Sequence, residues 1–457
     1  MKVSIQAVGV VILVALASVI IGILGQVRAE NASIRLTVLK KLVEDNPPEC
    51  LTDQECTSNQ YCFDTSCVTD TRNLTWGQRG AAILRITPGF TDGTGTAVAL
   101  SDIGNAIAVG SPYYDPDGGG LNETGALRVF DFNGTTWVQR GPLILGRNHR
   151  DEEAFYIDLV SDGQTVVTNS ISYSGNGNLT GDIRVFNWTG ANWVQRGTSI
   201  RGAGENESSA LRFDCSPDCT TIAVAFVGET VAGNALSGVV RVYDWNSSDW
   251  IQRGEDITSG LPDDKFGDEV FISDNTNTVA YTAKGRVGAV SWNGTAWRPQ
   301  GADIGSGIVG TGSGIRMHLS ADGSSIVAAA GSSGSDIYIL DWNNTAWEPR
   351  GSPIGPVSGT ADVSKVKLTP DGNAAAVAFR VQVPGGIDFN DQGLVQVYIW
   401  NGTDWVPRGS PISDPDNMSP ASTFFGNDIS ISRDGQVLTI GSPGFPNKAY
   451  IYELGLD

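Results

Sequence analysis

The chain is expected to be all-β, folding as a seven-bladed β-propeller of four-stranded antiparallel blades. Three observations carry that expectation. A tryptophan followed by a short polar step and a glycine recurs at Trp76, Trp137, Trp193, Trp250, Trp297, Trp347 and Trp405. Between recurrences the order is constant: an apolar strand, a Ser-x-Asp-Gly turn, a second apolar strand, a loop of varying length, and a hairpin such as VFDFNGTTWVQRG at 129–141. The composition agrees, with 57 glycines and 12 tryptophans among many Val, Ile and Thr residues, and no long stretch beyond the N-terminus has helical periodicity. A lone four-stranded sheet cannot bury both faces, so such repeats stack around an axis.

The elements follow in order. Residues 1–29 carry Lys2 and then an uninterrupted run of apolar and small residues at 7–25. That run approaches the roughly 20 residues that cross a bilayer as a helix, and exceeds the roughly 7–15 residues of a signal-peptide core. A membrane anchor is therefore favoured over a cleaved signal peptide, although Val27-Arg28-Ala29 offers a peptidase small residues; either sends the rest into the secretory pathway. Cell-surface attachment by a single pass is preferred to secretion. A linker at 30–49 precedes a cysteine-rich segment at 50–67, where Cys50, Cys56, Cys62 and Cys67 read as two disulfides with three pairings open. Such a segment serves as a stapled spacer. Cys215 and Cys219 flank the turn CSPDC, and a local bridge there would stiffen it.

The propeller occupies 74–457. Its last unit ends on the strand AYIYELGLD (449–457) with no tryptophan strand after it, while LTWGQRG (74–80) has no blade before it. The first strand is expected to complete the seventh blade and remove two sheet edges.

The segments FGDEVFIS (266–273), FFGNDISISRDGQVLTIGSPGFP (424–446) and GTAVALSDIGNAIAVGSPYYDP (95–116) resemble FG-GAP repeats, the blades of the integrin α-subunit head. The resemblance spans roughly 74 to the C-terminus and implies an extracellular, adhesion-like propeller closed in the same way. It departs in one place. FG-GAP blades that hold calcium carry Asp-x-Asp-x-Asp-Gly between their inner strands, and here the turn is Ser-x-Asp-Gly. One carboxylate is too few for a cation that takes six to eight oxygens. The remaining calcium candidates are Asp115 and Asp117 in DPDGGG, and Asp388 and Asp391 in DFNDQG. No other cofactor is expected.

With strands lettered A to D from the axis outward, the A–B and C–D turns share one face and the B–C loops and D–A crossovers share the other. Length and chemistry vary in the second set, as in SPYYDPDGGGLNETG (111–125) and LGRNHRDEEAF (145–155). Variable loops on a rigid scaffold are where binding resides. A protein or glycan ligand is expected there. The opposite rim carries sequons at Asn73, Asn133, Asn187, Asn246, Asn293, Asn343 and Asn401, all assigned to C–D hairpins, with Asn31, Asn122, Asn178, Asn206 and Asn417 elsewhere. Asn-Gly turns account for NGT at three of them. The other four keep Ser or Thr after the glycine is gone, which favours glycosylation.

With 50 acidic against 30 basic residues the net charge is −20, which excludes phosphate backbones as partners. His149 and His318 lack partners at metal or triad spacing, and no catalytic or cofactor constellation emerges. DxxxGxxW in the hairpins faintly resembles the blades of quinoprotein dehydrogenases, but the tryptophans read as inter-blade packing. The reading is a non-enzymatic binding module; the alternatives are a structural surface glycoprotein and a carbohydrate-active hydrolase using Glu152, Glu153, Asp263 and Asp264.

Overall fold

In the computed structural model, the described residues are 60–63, 66–69 and 74–456 apart from 89, 118–122, 172–180, 203–210, 306–307, 309–313, 331–333, 358–360, 383–390 and 417–422. The chain divides into two units, Met1–Asn73 and Leu74–Asp457. In the first, Gln60–Phe63 and Ser66–Thr69 form an antiparallel hairpin whose register sets Cys62 opposite Cys67. The expected signal or membrane segment at 1–29, Cys50, Cys56, Asn31, Asn73, Asn122, Asn178, Asn206, Asn417 and Asp388 lie outside the described residues. Among the described residues no helix is long and apolar enough to cross a membrane.

The second unit is a seven-bladed propeller of antiparallel sheets. The innermost strands are Val98–Leu100, Glu153–Leu159, Leu211–Cys215, Val270–Ile272, Arg316–Leu319, Ala361–Leu368 and Ile429–Ile431. In the last blade the sheet order runs outward from Ile429–Ile431 through Val437–Ser442 and Lys448–Leu456 to Leu74–Gln78, with Trp76 opposite Leu454. The core consists of layers between blades: seven buried clusters among the described residues, each built from two neighbouring sheets. One of them joins Val98, Ile107 and Val109 to Val437 and Ile451, first blade to last.

The recurrent W-x-x-R-G sequence is an inter-blade latch. Each tryptophan Nε1 donates to the main-chain carbonyl of the arginine in the preceding blade: Trp193 to Arg140 at 3.2 Å, Trp250 to Arg196 at 3.3 Å, Trp297 to Arg253 at 3.1 Å and Trp405 to Arg350 at 3.0 Å. Trp347 uses Gln300 in the same way at 3.0 Å. The series continues through the N-terminal strand, because Trp76 donates to Arg408 at 3.2 Å and Trp137 donates to Arg79 at 2.8 Å. The arginine side chain works in both directions. Arg253 pairs with Asp244 of its own blade at 2.5 Å and donates to the Thr276 carbonyl of the next at 2.8 Å; Arg350 repeats this with Asp341 and Gly372. The fourth blade changes both partners together, with Ser291 donating to Gln300 at 2.6 Å.

The closing glycine leaves room for the next blade. A Cβ on Gly351, whose φ is +73°, would sit 2.6 Å from Cζ3 of Trp400. Seven residues after each tryptophan the chain turns inward on an isoleucine, buried in every blade: Ile83, Ile144, Ile200, Ile257, Ile304, Ile354 and Ile412.

The hairpin turns resolve the origin of the sequons. In FNGTTW, Asn133 Oδ1 accepts main-chain N–H bonds from Thr135 at 3.0 Å and Thr136 at 2.9 Å, and the Thr135 hydroxyl donates to the same oxygen. Asn246, Asn293, Asn343 and Asn401 repeat the pattern. The middle residue takes a left-handed φ, +98° at Gly134 but also +77° at Ser247 and +74° at Asn344. At Asn246 and Asn343, two of the four sequons without the turn glycine, turn chemistry therefore also accounts for the Ser or Thr two residues on. Asn187 is a second correction. It lies within the strand Asp182–Trp188, ahead of the turn, half-buried, and accepts a hydrogen bond from the Thr165 hydroxyl at 3.0 Å.

Candidate functional site

Side chains alternate across a strand, so every second residue of an innermost strand faces the central channel. ALRFDCS places Arg212 and Asp214 there, GIRMHLS places Arg316 and His318, and VSKVKLT places Lys365 and Lys367. The intervening Met317, Leu319, Val366 and Leu368 are buried in the inter-blade layers. The two faces thus serve two purposes: one holds the ring together and the other paints the channel.

An innermost strand is also a sheet edge with unpaired N–H groups. Several channel side chains cover these groups across the gap between blades. Asp428 Oδ2 accepts the Val98 N–H at 2.9 Å, Asp214 Oδ2 that of Ile272 at 2.7 Å, Ser430 Oγ that of Leu100 at 3.1 Å, and His318 Nδ1 that of Leu368 at 3.2 Å. Burial, reinforced by Lys367 and Lys365, holds the His318 imidazole well below its ordinary pKa, so it is a neutral acceptor.

At the A–B turns the channel is narrowed. Main-chain bonds link neighbouring turns, Arg433 N to Asp102 O at 2.8 Å and Asp102 N to Ser161 O at 3.1 Å among them. The Arg433 side chain then joins Asp102 at 2.8 Å and Asp274, of the fourth blade, at 3.2 Å. A cavity of about 150 Å³ remains beside these turns, and toward the loop face lies a wider one of about 430 Å³. Its walls contain Arg212, Arg316, Lys365, Lys367 and Arg380 against the carboxylates Asp158, Asp214, Glu269 and Asp428, with Tyr113, Phe155, Tyr156 and Phe424 among its aromatic lining.

The cations are held loosely. Glu269 is 3.8 Å from Arg316 Nη1 and 3.7 Å from Lys365 Nζ, and Lys365 is 3.9 Å from Asp428. These are ion-pair separations, longer than hydrogen bonds. Arg212 lies over the Tyr156 ring at 3.8 Å and donates Nε to the Asp268 carbonyl at 2.9 Å. Its Nη1 and the Nε of Arg316 are buried without a hydrogen-bond partner. Burial works to raise the pKa of Glu269, yet Lys365, Arg212 and Arg316 hold it below the usual carboxylate range. Asp214 goes the other way. Burial, and then the charge of Asp158, push its carboxyl up to about 8, so at neutral pH it is mostly protonated and the cavity wall carries an excess of positive charge.

A raised native pKa means the folded state keeps a proton that the unfolded chain releases near pH 4. The stability this contributes is complete below about pH 4 and is lost as pH rises toward 8. Asp214→Asn keeps an acceptor for Ile272 and does not titrate. Its melting temperature is expected to exceed that of the wild type by several degrees at pH 8.5 and by less at pH 5, measured by differential scanning calorimetry; equal differences at both pH values would contradict the assignment.

The carboxylates singled out from sequence are not brought together. Glu153 is buried between Arg184 at 2.5 Å and the Ser170 hydroxyl, and Asp264 is held by both Nη atoms of Arg286 at 2.6 and 2.5 Å, in a different blade. Asp263 pairs with Lys284 at 2.7 Å on the surface. Glu152 is half-buried, its pKa raised by burial and by Glu123. Asp115 caps a turn by accepting the Asp117 N–H at 2.9 Å, and Asp391 begins the strand Asp391–Trp400. Among the described residues no three His, Cys, Asp or Glu side chains converge as a metal site. The turn aspartates are likewise occupied: Asp322 Oδ1 accepts the Ser324 N–H at 2.9 Å and the Ser320 hydroxyl at 2.7 Å. Cys215 and Cys219 are free thiols, so the bridge expected from their spacing is not formed; burial raises the Cys215 thiol well above its ordinary pKa. His149 lies in an exposed crossover.

No family model and no curated protein matches the chain. Among solved structures, Raptor from Chaetomium thermophilum is 12% identical with a TM-score of 0.54, the match covering 84% of this chain and 29% of that one. A provisionally named 6-phosphogluconolactonase from Bacteroides uniformis is 17% identical with a TM-score of 0.48, covering 70% of this chain and 85% of its own. A chain of the Mitotic Checkpoint Complex is 10% identical with a TM-score of 0.49, covering 79% and 89%. At these identities the likeness is one of fold.

Proposed function

We propose that the chain is a propeller of the FG-GAP kind that acts outside the cell as a binding module, tethered through its N-terminal segment, and takes a protein or glycan ligand at the loop-face mouth of its central channel. The observation that carries this reading is the asymmetry of the channel: narrowed and bridged by Arg433 at one end, and at the other lined by aromatic rings and loosely paired cations. Exposed Phe424 and Tyr113 stand at that mouth, where an incoming ligand gains apolar contact. The test compares the full chain with Tyr113→Ala/Phe424→Ala and with Asn133→Gln/Asn343→Gln on a glycan array and against candidate protein ligands. Binding lost in the first pair and kept in the second supports the loop face; the reverse pattern overturns it.

Glycosylation of the opposite rim belongs to the same reading. In the five asparagine-capped turns the amide oxygen faces the turn and the nitrogen, the atom a glycan is attached to, takes no part in its hydrogen bonds. Peptide mapping of the protein made in a secretory host is expected to find glycan at Asn133, Asn246, Asn293, Asn343 and Asn401 and none at Asn187, which is committed to its strand. Sugar on Asn187 with bare hairpins would refute this.

One observation favours a second reading, hydrolysis: the protonated Asp214 beside Asp158 in the channel is the arrangement of an acid and a carboxylate. Turnover of a sugar or ester substrate that is abolished by Asp158→Asn and Asp214→Asn, with folding intact, would replace the binding-only account.

A further inference from the structure

We propose that the ligand at the channel mouth is an acid-bearing sugar, its anionic group seated among Arg212, Arg316 and Lys365 and its ring against the aromatic rim. This deepens the loop-face reading and rests on it.

The argument begins with charge. A chain of net −20 has little reason to concentrate basic side chains in one enclosed place, yet five line a single cavity. Neighbouring carboxylates do not consume them. Asp428 and Asp214 are engaged by edge N–H groups of the next blade. Glu269 faces Arg316 and Lys365 at 3.7–3.8 Å, and Asp428 stands 3.9 Å from Lys365, all too far for hydrogen bonds. The cost of this arrangement is visible in two buried guanidinium nitrogens, Arg212 Nη1 and Arg316 Nε, that have no partner. Leaving charged donors unmet in a buried place is unfavourable, and an anion entering the cavity meets both. Arg212 cannot easily swing away, because its plane is fixed over Tyr156 and its Nε is tied to Asp268.

Size and lining then narrow the class. A cavity of about 430 Å³ accepts one or two sugar rings and not a folded protein surface. Phe424, exposed and with the Arg380 guanidinium 6.0 Å from its ring centroid, and Tyr113 offer flat apolar faces at the entrance, to which the C–H face of a pyranose is complementary. A bare inorganic anion would use the guanidinium groups and leave those rings idle.

The test is titration calorimetry on the full chain at low salt with four probes: glucuronate, glucose 6-sulfate, glucose and inorganic sulfate. At least one acidic sugar is expected to bind at least tenfold more tightly than glucose and than sulfate, with affinity falling as salt is raised. Arg316→Gln and Lys365→Gln are each expected to lose about tenfold or more, and Arg298→Gln, on an outer strand with its side chain 62% exposed, to change nothing. Lys365→Gln keeps the test valid if Arg316→Gln fails to fold. Carboxylate and sulfate sources separate by which acidic sugar prevails. Equal binding of glucose overturns the anionic component, sulfate binding as well as either sugar overturns the sugar component, and no binding by any probe overturns the inference outright. In that last case the loop-face reading still stands or falls on its own Tyr113/Phe424 substitutions.

Discussion

Trp76→Ala is expected to destabilise the propeller by about 3 kcal/mol, as much as the same change at Trp297 in the middle of the chain. The reason is the latch. Trp76 is the outer-strand tryptophan of the last blade: it donates to the Arg408 carbonyl, packs on Gly409, and its strand pairs with Lys448–Leu456. Three residues on, the Arg79 carbonyl receives the Trp137 N–H of the first blade. Removing the indole therefore loosens the last blade from the sixth and exposes the edge of the C-terminal strand, whose other partner on that side is the two-residue strand Ile83–Leu84 at Lys448 and Ala449. Urea unfolding of both variants measures the effect. A loss below about 1 kcal/mol at Trp76, with the full loss at Trp297, would mean that the N-terminal strand is ornamental.

Gly351→Ala is expected to cost about 2–4 kcal/mol, whereas Gly402→Ala costs about 1 kcal/mol. Both glycines hold a left-handed φ, +73° and +95°, so both substitutions incur the backbone strain of a Cβ in that region. Only Gly351 adds a collision, with Trp400 of the next blade at 2.6 Å and Asp404 behind it; a Cβ on Gly402, at a hairpin tip, meets nothing within 4 Å. The difference between the two isolates the steric cost of the inter-blade contact. Equal melting temperatures for the two variants would show that Trp400 gives way freely.

Much of this architecture was legible in the sequence because the repeat is strict. The tryptophan interval, the Ser-x-Asp-Gly turn and the alternation of strands prescribe seven antiparallel sheets. The same strictness hid two things. The isoleucine seven residues past every tryptophan is as regular as the tryptophan, but isoleucine is common in strands and does not stand out by type. The hairpin sequons looked like signals because Ser and Thr persisted without glycine; in the fold the hydroxyl bonds the asparagine that caps the turn, and Asn187 shows that a sequon can fall out of register altogether.

The candidate site was less legible for a different reason. The hydrolytic alternative rested on carboxylates in variable crossovers, and of these Glu153 and Asp264 are instead paired with blade arginines, Arg184 and Arg286. The cavity is lined instead by charges inside apolar-looking inner strands, Arg212, Arg316 and Lys365. The signal was present as alternation, R-x-D, R-x-H and K-x-K, in strands whose other face is wholly apolar. Recognising it requires knowing that the inner strand of a closed ring has one side on a channel, so that a period of two separates core from wall.

The central claim is that the loop-face mouth of the channel is where ligand binds. Hydrogen–deuterium exchange of the full chain with and without saturating glucuronate addresses it directly. Protection is predicted in the inner strands Leu211–Cys215, Arg316–Leu319 and Ala361–Leu368, with the hairpin tips around Asn133 and Asn343 unchanged. Protection confined to those hairpins, or to the A–B turns beside Arg433, would contradict the account.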